Sequence, residues 1–171
     1  MIRTAFTLLE ILIVIVVMAL IASSATLSFK KPLQRAAQSD AVQMLKHFDH
    51  GARQLATQFA RPVQMSFDLE KQSVSRLEHD TAIATMHLPQ GVRITELRTA
   101  DRHILDFEHP IPISESGISM TYALHLGGNE FDQWILFTGM TGDFISGINE
   151  SELDNIFKTL TTPGAQRADT R

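Results

Sequence analysis

Residues Ile11 to Ala22 form an unbroken run of twelve apolar residues, and the wider stretch from Phe6 to Phe29 contains a single charge, Glu10. As a helix rising about 1.5 Å per residue, that stretch spans roughly 36 Å, more than a bilayer core of about 30 Å. Every face of such a helix is apolar, and a small soluble domain would have to enclose it on all sides. The reading that follows is a membrane-spanning segment over 6–29. The chain has 171 residues, which leaves room for one further domain. With 44% hydrophobic residues that domain can bury a core, and a net charge of -4 gives no general attraction to nucleic acid or anionic membrane. Cysteine is absent, which excludes disulfides and thiolate chemistry.

Three accounts of this amino terminus are open. One is a secretory signal peptide, with Arg3 as its basic region and a cleavage site near Ala22-Ser23-Ser24. The second is an ordinary single-pass anchor. Neither explains Glu10. A carboxylate within an apolar membrane helix costs about 2.5–3.5 kcal/mol on insertion scales, and such residues mark function by default. The third account starts from that residue.

Phe6-Thr7-Leu8-Leu9-Glu10, after a short leader and before the apolar run, resembles the class III signal of type IV pilins and pseudopilins. The resemblance implies a leader of residues 1–5, cut by a prepilin peptidase between Ala5 and Phe6. It also implies N-methylation of Phe6 and a role for Glu10 in subunit assembly. The residue before the cut is normally glycine in that family, where this chain has Ala5. Glu10 falls in the first turns after the new terminus, where the helix dipole favours negative charge. In a filament the amino group of one Phe6 would pair with Glu10 of a neighbour, removing both charges from a low-dielectric environment. The implied partners are other pilins or pseudopilins through the N-terminal helix, the prepilin peptidase and the inner membrane, with the head in the periplasm. The positive-inside rule points the other way, because Lys30, Lys31 and Arg35 follow the span and only Arg3 precedes it.

Beyond the span, Pro32 is expected to interrupt or kink the helix. Leu33, Ala37, Ala41, Leu45, Phe48, Ala52, Leu55 and Phe59 then recur every three or four residues. They predict an amphipathic helix within 30–61, with Gln, Arg, Asp and Lys on its opposite face. Arg61-Pro62 ends it. The period switches to two from Val63 to Leu69, and a β-rich head is predicted over 62–160. Its strands are expected at 63–69, 74–77, 83–88, 92–97, 104–107, 118–126 and 131–138, the last two as a hairpin. Ser151 is expected to cap a short helix over 151–160, and composition predicts a disordered tail over 161–171. The fold class is therefore α+β, a long N-terminal helix packed on an antiparallel head, for which the pilin resemblance implies two sheets.

The segment from Arg53 to Val63 and the segment Trp134 to Gly142 resemble the H-type minor pseudopilins of type II secretion. That resemblance implies a structural subunit, not an enzyme, at or near the tip of a periplasmic pseudopilus that helps export folded proteins. The alternative is a minor type IV pilin for pilus assembly, adhesion or DNA uptake.

No nucleophile elbow, phosphate-cradling loop or zincin helix occurs, and no catalytic residue or cofactor is expected. His47 and His50 could share a ligand face but have no third ligand near in sequence, so they read as surface residues. His103, Asp106, Glu108 and His109 divide between two strand faces. Asp143, Asn149, Glu150, Glu152 and Asp154 match no EF-hand spacing, and no metal site is assigned. Lys71, Arg76, Arg93, Arg98 and Arg102 are interspersed with acids and do not make a nucleic-acid footprint.

Overall fold

A computed structural model describes residues 8–28, 30–100, 110–128 and 131–161. The chain divides into two compact units, residues 1–36 and 37–171.

In the first unit, helix α1 runs Leu8–Ser28 with Glu10 in its first turn. Its side chains are exposed on every face from Leu8 to Ile21, as expected of an all-apolar helix with no face to bury. Among the described residues no helix is long and apolar enough to cross a membrane. Residues 6, 7 and 29 of the predicted span lie outside the described residues. Helix α2 runs Lys30–Phe59 and passes through Pro32. The described helix is therefore not interrupted at Pro32, contrary to the expectation from sequence.

In the second unit, α2 buries Ala41, Val42, Leu45, Phe48, Ala52 and Ala56 at three- and four-residue spacing. Two antiparallel sheets join it. Sheet A contains β1 (Val63–Asp68), β2 (Ser73–Glu78), β3 (Thr81–His87) and β5 (Ile111–Ile113), in the order β3-β2-β1-β5. Sheet B contains β4 (Val92–Thr99), β6 (Tyr122–Gly128), β7 (Asp132–Phe137) and β8 (Phe144–Ile148), in the order β4-β6-β7-β8. One core gathers the α2 stripe, Val63, Met65 and Phe67 of β1, and Tyr122, Leu124, Leu126, Ile135 and Phe137 of sheet B. Alternation leaves Ala123, Trp134 and Leu136 on the other face of sheet B. There they meet Leu153 and Phe157 of α3 (Glu150–Thr161) in a second core.

Helix α3 is capped by Asn149, not by Ser151. The Glu152 amide donates to Asn149 Oδ1 at 2.9 Å and the Asn149 amide donates to Glu152 Oε2 at 3.0 Å. This is the reciprocal capping box, which satisfies two orphan donors at once. The predicted hairpin forms, with its first strand starting at Tyr122 instead of Ile118. Strands β5 and β8 were not predicted. The first is three residues around Pro112, and the second is interrupted by Gly147 at φ 77. The predicted strand 104–107 and residues 162–171 of the predicted tail lie outside the described residues.

Registers slip by one residue in three places. Ile83 is skipped between β3 and β2, Thr95 between β4 and β6, and Gly147 between β8 and β7. Each skip is a β-bulge on a strand at the margin of its sheet.

Candidate functional site

On α2, Asp49 and Arg53 stand one turn apart and are only 2% and 7% exposed. Sequence periodicity placed such charges on the solvent face, and these two fall on the buried one. The Arg53 guanidinium spends its donors in four directions. Nε donates to Asp49 Oδ2 at 2.7 Å, and Nη1 donates to the carbonyls of Gly117 and Gly139 at 2.9 and 2.8 Å. Nη2 donates to Ser119 Oγ at 2.8 Å. The other Asp49 oxygen accepts from the Tyr122 hydroxyl at 2.8 Å. A buried charge is tolerated when paired and when its remaining hydrogen-bonding capacity is met, and both carboxylate oxygens and all three guanidinium nitrogens are engaged. Burial first, and the Asp49 carboxylate second, push the Tyr122 phenol well above its ordinary pKa. Its ring stacks on Phe137, with centroids 4.8 Å apart.

This network fixes two loops, 114–121 and 138–143, to the helix. The Ser119 amide donates to the Gly139 carbonyl at 3.0 Å and the Gly139 amide to Thr121 Oγ1 at 2.9 Å. A Cβ on Gly139 would lie 2.2 Å from the Ser119 carbonyl oxygen, so the close approach of the loops requires glycine there.

The remaining sequence-predicted residues are dispersed. Ala5 and Phe6 lie outside the described residues, and Glu10 is exposed on α1. His47 and His50 are exposed on α2. His103, Asp106, Glu108, His109 and Arg102 lie outside the described residues. Among the described residues no three His, Cys, Asp or Glu side chains are grouped to hold a metal ion. Glu152 is used in the α3 cap, while Glu150 and Asp154 lie 2.8 and 3.8 Å from Arg98. Arg98 also bonds Glu96, whose hydrogen bond is the largest influence raising the Arg98 pKa, and lies over the Trp134 ring at 4.7 Å. Arg76 donates to the Phe48 carbonyl at 2.9 Å, and its pKa is lowered by burial. Lys71 pairs with Asp68 at 3.0 Å. Of the candidate basic residues, Lys71 and Arg98 thus pair with acids and Arg76 bonds to α2.

No protein-family model and no curated protein sequence matches the chain. Solved structures do. Three of those similar to it are of minor pilins and minor pseudopilins. Two are of the minor pseudopilin EpsH from the type 2 secretion system of Vibrio cholerae. They show 8% and 10% identity and TM-scores of 0.47 and 0.49, covering 63% and 67% of this chain and 94% and 97% of theirs. A third is the type IV minor pilin FimU of Pseudomonas aeruginosa, at 10% identity and a TM-score of 0.49, covering 65% of this chain and 88% of that one.

Proposed function

We propose that the chain is a non-enzymatic subunit of a pilus-like filament, specifically a minor pseudopilin at or near the tip of the periplasmic pseudopilus of a type II secretion system. One observation carries the reading. In sequence, the motif Phe6-Thr7-Leu8-Leu9-Glu10 runs into the apolar helix α1, whose described side chains from Leu8 to Ile21 are exposed all round and whose first turn carries Glu10. A helix of that kind needs an apolar surrounding. The sequence span 6–29 offers the inner membrane before assembly, and bundled helices of other subunits offer it afterwards. In this reading Glu10 of one subunit pairs with the methylated amino group of Phe6 on another, and the head selects neighbours or exported protein. The subtype rests on the segments Arg53–Val63 and Trp134–Gly142, which resemble H-type pseudopilins.

The decisive measurement is the intact mass of protein extracted from membranes. A mature chain beginning at methylated Phe6 supports the reading. A terminus near Ser24 or Ala25 means a conventional signal peptide and removes the stem from the mature protein. Neighbouring genes separate the subtype. Secretin and secretion-ATPase genes accompany a pseudopilin, whereas retraction or competence genes make the chain a minor type IV pilin for assembly, adhesion or DNA uptake.

A further inference from the structure

A cleft of about 270 Å³ opens between α2 and the end of sheet B where β7 turns into β8. Phe137 and Phe144 line it from the sheet. They are partners in register, the last residue of β7 and the first of β8, and their ring centres lie 5.6 Å apart in an edge-on contact. Phe137 is buried and Phe144 half-buried, so the sheet side of the cleft is an aromatic wall. The rest of the lining is Lys46, His47, Asp49 and His50 of α2 with Gly142 of the turn. Lys46 and His47 each stand one helical turn before His50, and all three are exposed at the rim.

Charge says what the cleft can hold. Asp49 is its one lining acid, and both Asp49 oxygens are already taken, by the Arg53 guanidinium and the Tyr122 hydroxyl. Asp143 lies between Gly142 and Phe144 in sequence but does not line the cleft. Lys46 is in the opposite position. Among the described residues no acid pairs with it, and its Nζ lies 5.6 Å from the centre of the Phe144 ring. One uncompensated cation and two imidazoles therefore stand beside an aromatic wall. A cavity of about 150 Å³ admits a benzene ring, so this one has room for a large apolar side chain with a carboxylate next to it. We infer that the cleft docks a segment of a different protein in which an aspartate or glutamate stands within two residues of a large apolar side chain. The apolar group packs on Phe144, and the carboxylate pairs with Lys46 and accepts from the imidazole N–H groups of His47 and His50. The aromatic wall excludes water from one side of that pair, which strengthens it relative to an open surface.

The inference rests on the second unit alone and stands apart from the stem's role. The full-length chain in native membranes is treated with a carbodiimide, which condenses a lysine amine with a carboxylate in contact with it into an amide and takes up the water as its urea. Lys71 and Asp68, 3.0 Å apart, supply the internal control for that reaction. Lys46 should couple to an aspartate or glutamate of a different protein, with a large apolar residue within two positions of it. Excess acetyl-Gly-Asp-Phe-Gly-amide should compete with that product. The same peptide with Asn for Asp, or with Gly for Phe, should be a competitor weaker by about tenfold or more, because each lacks one of the two groups recognised. The proposal is overturned by Lys71–Asp68 coupling without a Lys46 product, by a Lys46 product that joins two copies of this chain, or by one at an acid with no apolar neighbour. It is equally overturned if the three peptides compete alike. None of these outcomes alters the mature mass of the chain, so a failed cleft and a failed filament reading remain distinguishable.

Discussion

Arg53 and Asp49 face each other across one turn of α2 at 2.7 Å, and through Arg53 the helix reaches backbone 64 and 86 residues away in sequence. Removing the cation leaves a buried carboxylate with the Tyr122 hydroxyl but no counter-charge, and takes a donor from the carbonyls of Gly117 and Gly139, the latter keeping the Ser119 amide. Arg53→Met should therefore cost about 3–5 kcal/mol in denaturant unfolding. Adding Asp49→Leu should recover part of that loss, because the second change removes the stranded charge. A double mutant no more stable than Arg53→Met alone would show that the carbonyl contacts carry the stabilisation.

Alkaline pH gives a second test through Tyr122, the single tyrosine of the chain. Its native pKa is raised by burial and by Asp49, whereas in the unfolded chain it ionises near pH 10. Above about pH 10 the unfolded state binds fewer protons than the native one, so stability is complete below that point and falls as pH rises beyond it. The slope is about 1.4 kcal/mol per pH unit until the native phenol ionises. Tyrosinate absorbance should stay flat in the native protein past pH 10 and rise only with unfolding. A reversible native titration near pH 10 would contradict the buried placement.

Gly139→Ala tests loop closure without touching a charge. The new methyl would meet the Ser119 carbonyl at 2.2 Å, and backbone must move to admit it. A loss of about 1–3 kcal/mol is expected from overpacking, with weakened Arg53 contacts. An unchanged unfolding midpoint would mean that the loops separate freely.

Glu10→Leu separates anchoring from assembly. Insertion should be equal or better, since a desolvation cost of roughly 2.5–3.5 kcal/mol disappears. Assembly should fall, since a neighbour's Phe6 amino group would enter an apolar core without a carboxylate. Membrane fractionation reads the first effect, and crosslinking to partner subunits reads the second. Normal insertion with full crosslinking would remove Glu10 from the mechanism.

Elements with a clean period were legible from sequence. The α2 stripe, the alternation of β1 and the apolar face of α3 came through because each buries one side against a continuous core. Strands β5 and β8 were hidden by Pro112 and Gly147, residues that argue against strands in isolation and that the margins of a sheet tolerate. The Arg53 network was hidden for a different reason. Its acceptors are backbone carbonyls of distant loops, which no side-chain pattern announces. The available signal was positional. Asp49 and Arg53 fall among Leu45, Ala52 and Ala56 on the apolar face of α2, a place a charged pair occupies only when buried partners await it.

Strands β3, β4 and β8 each carry a residue their partner strand skips, and β5 is short and contains proline. An uninterrupted strand margin invites any passing chain to continue the sheet, a hazard that grows when many heads are crowded together. With the margins of both sheets interrupted in this way among the described residues, crowding by the polymerising stem of the proposed filament would not fuse the heads into one fibre. The order of the assembly would then be set by the helices and by side-chain surfaces, and heads could be taken apart as readily as they were brought together.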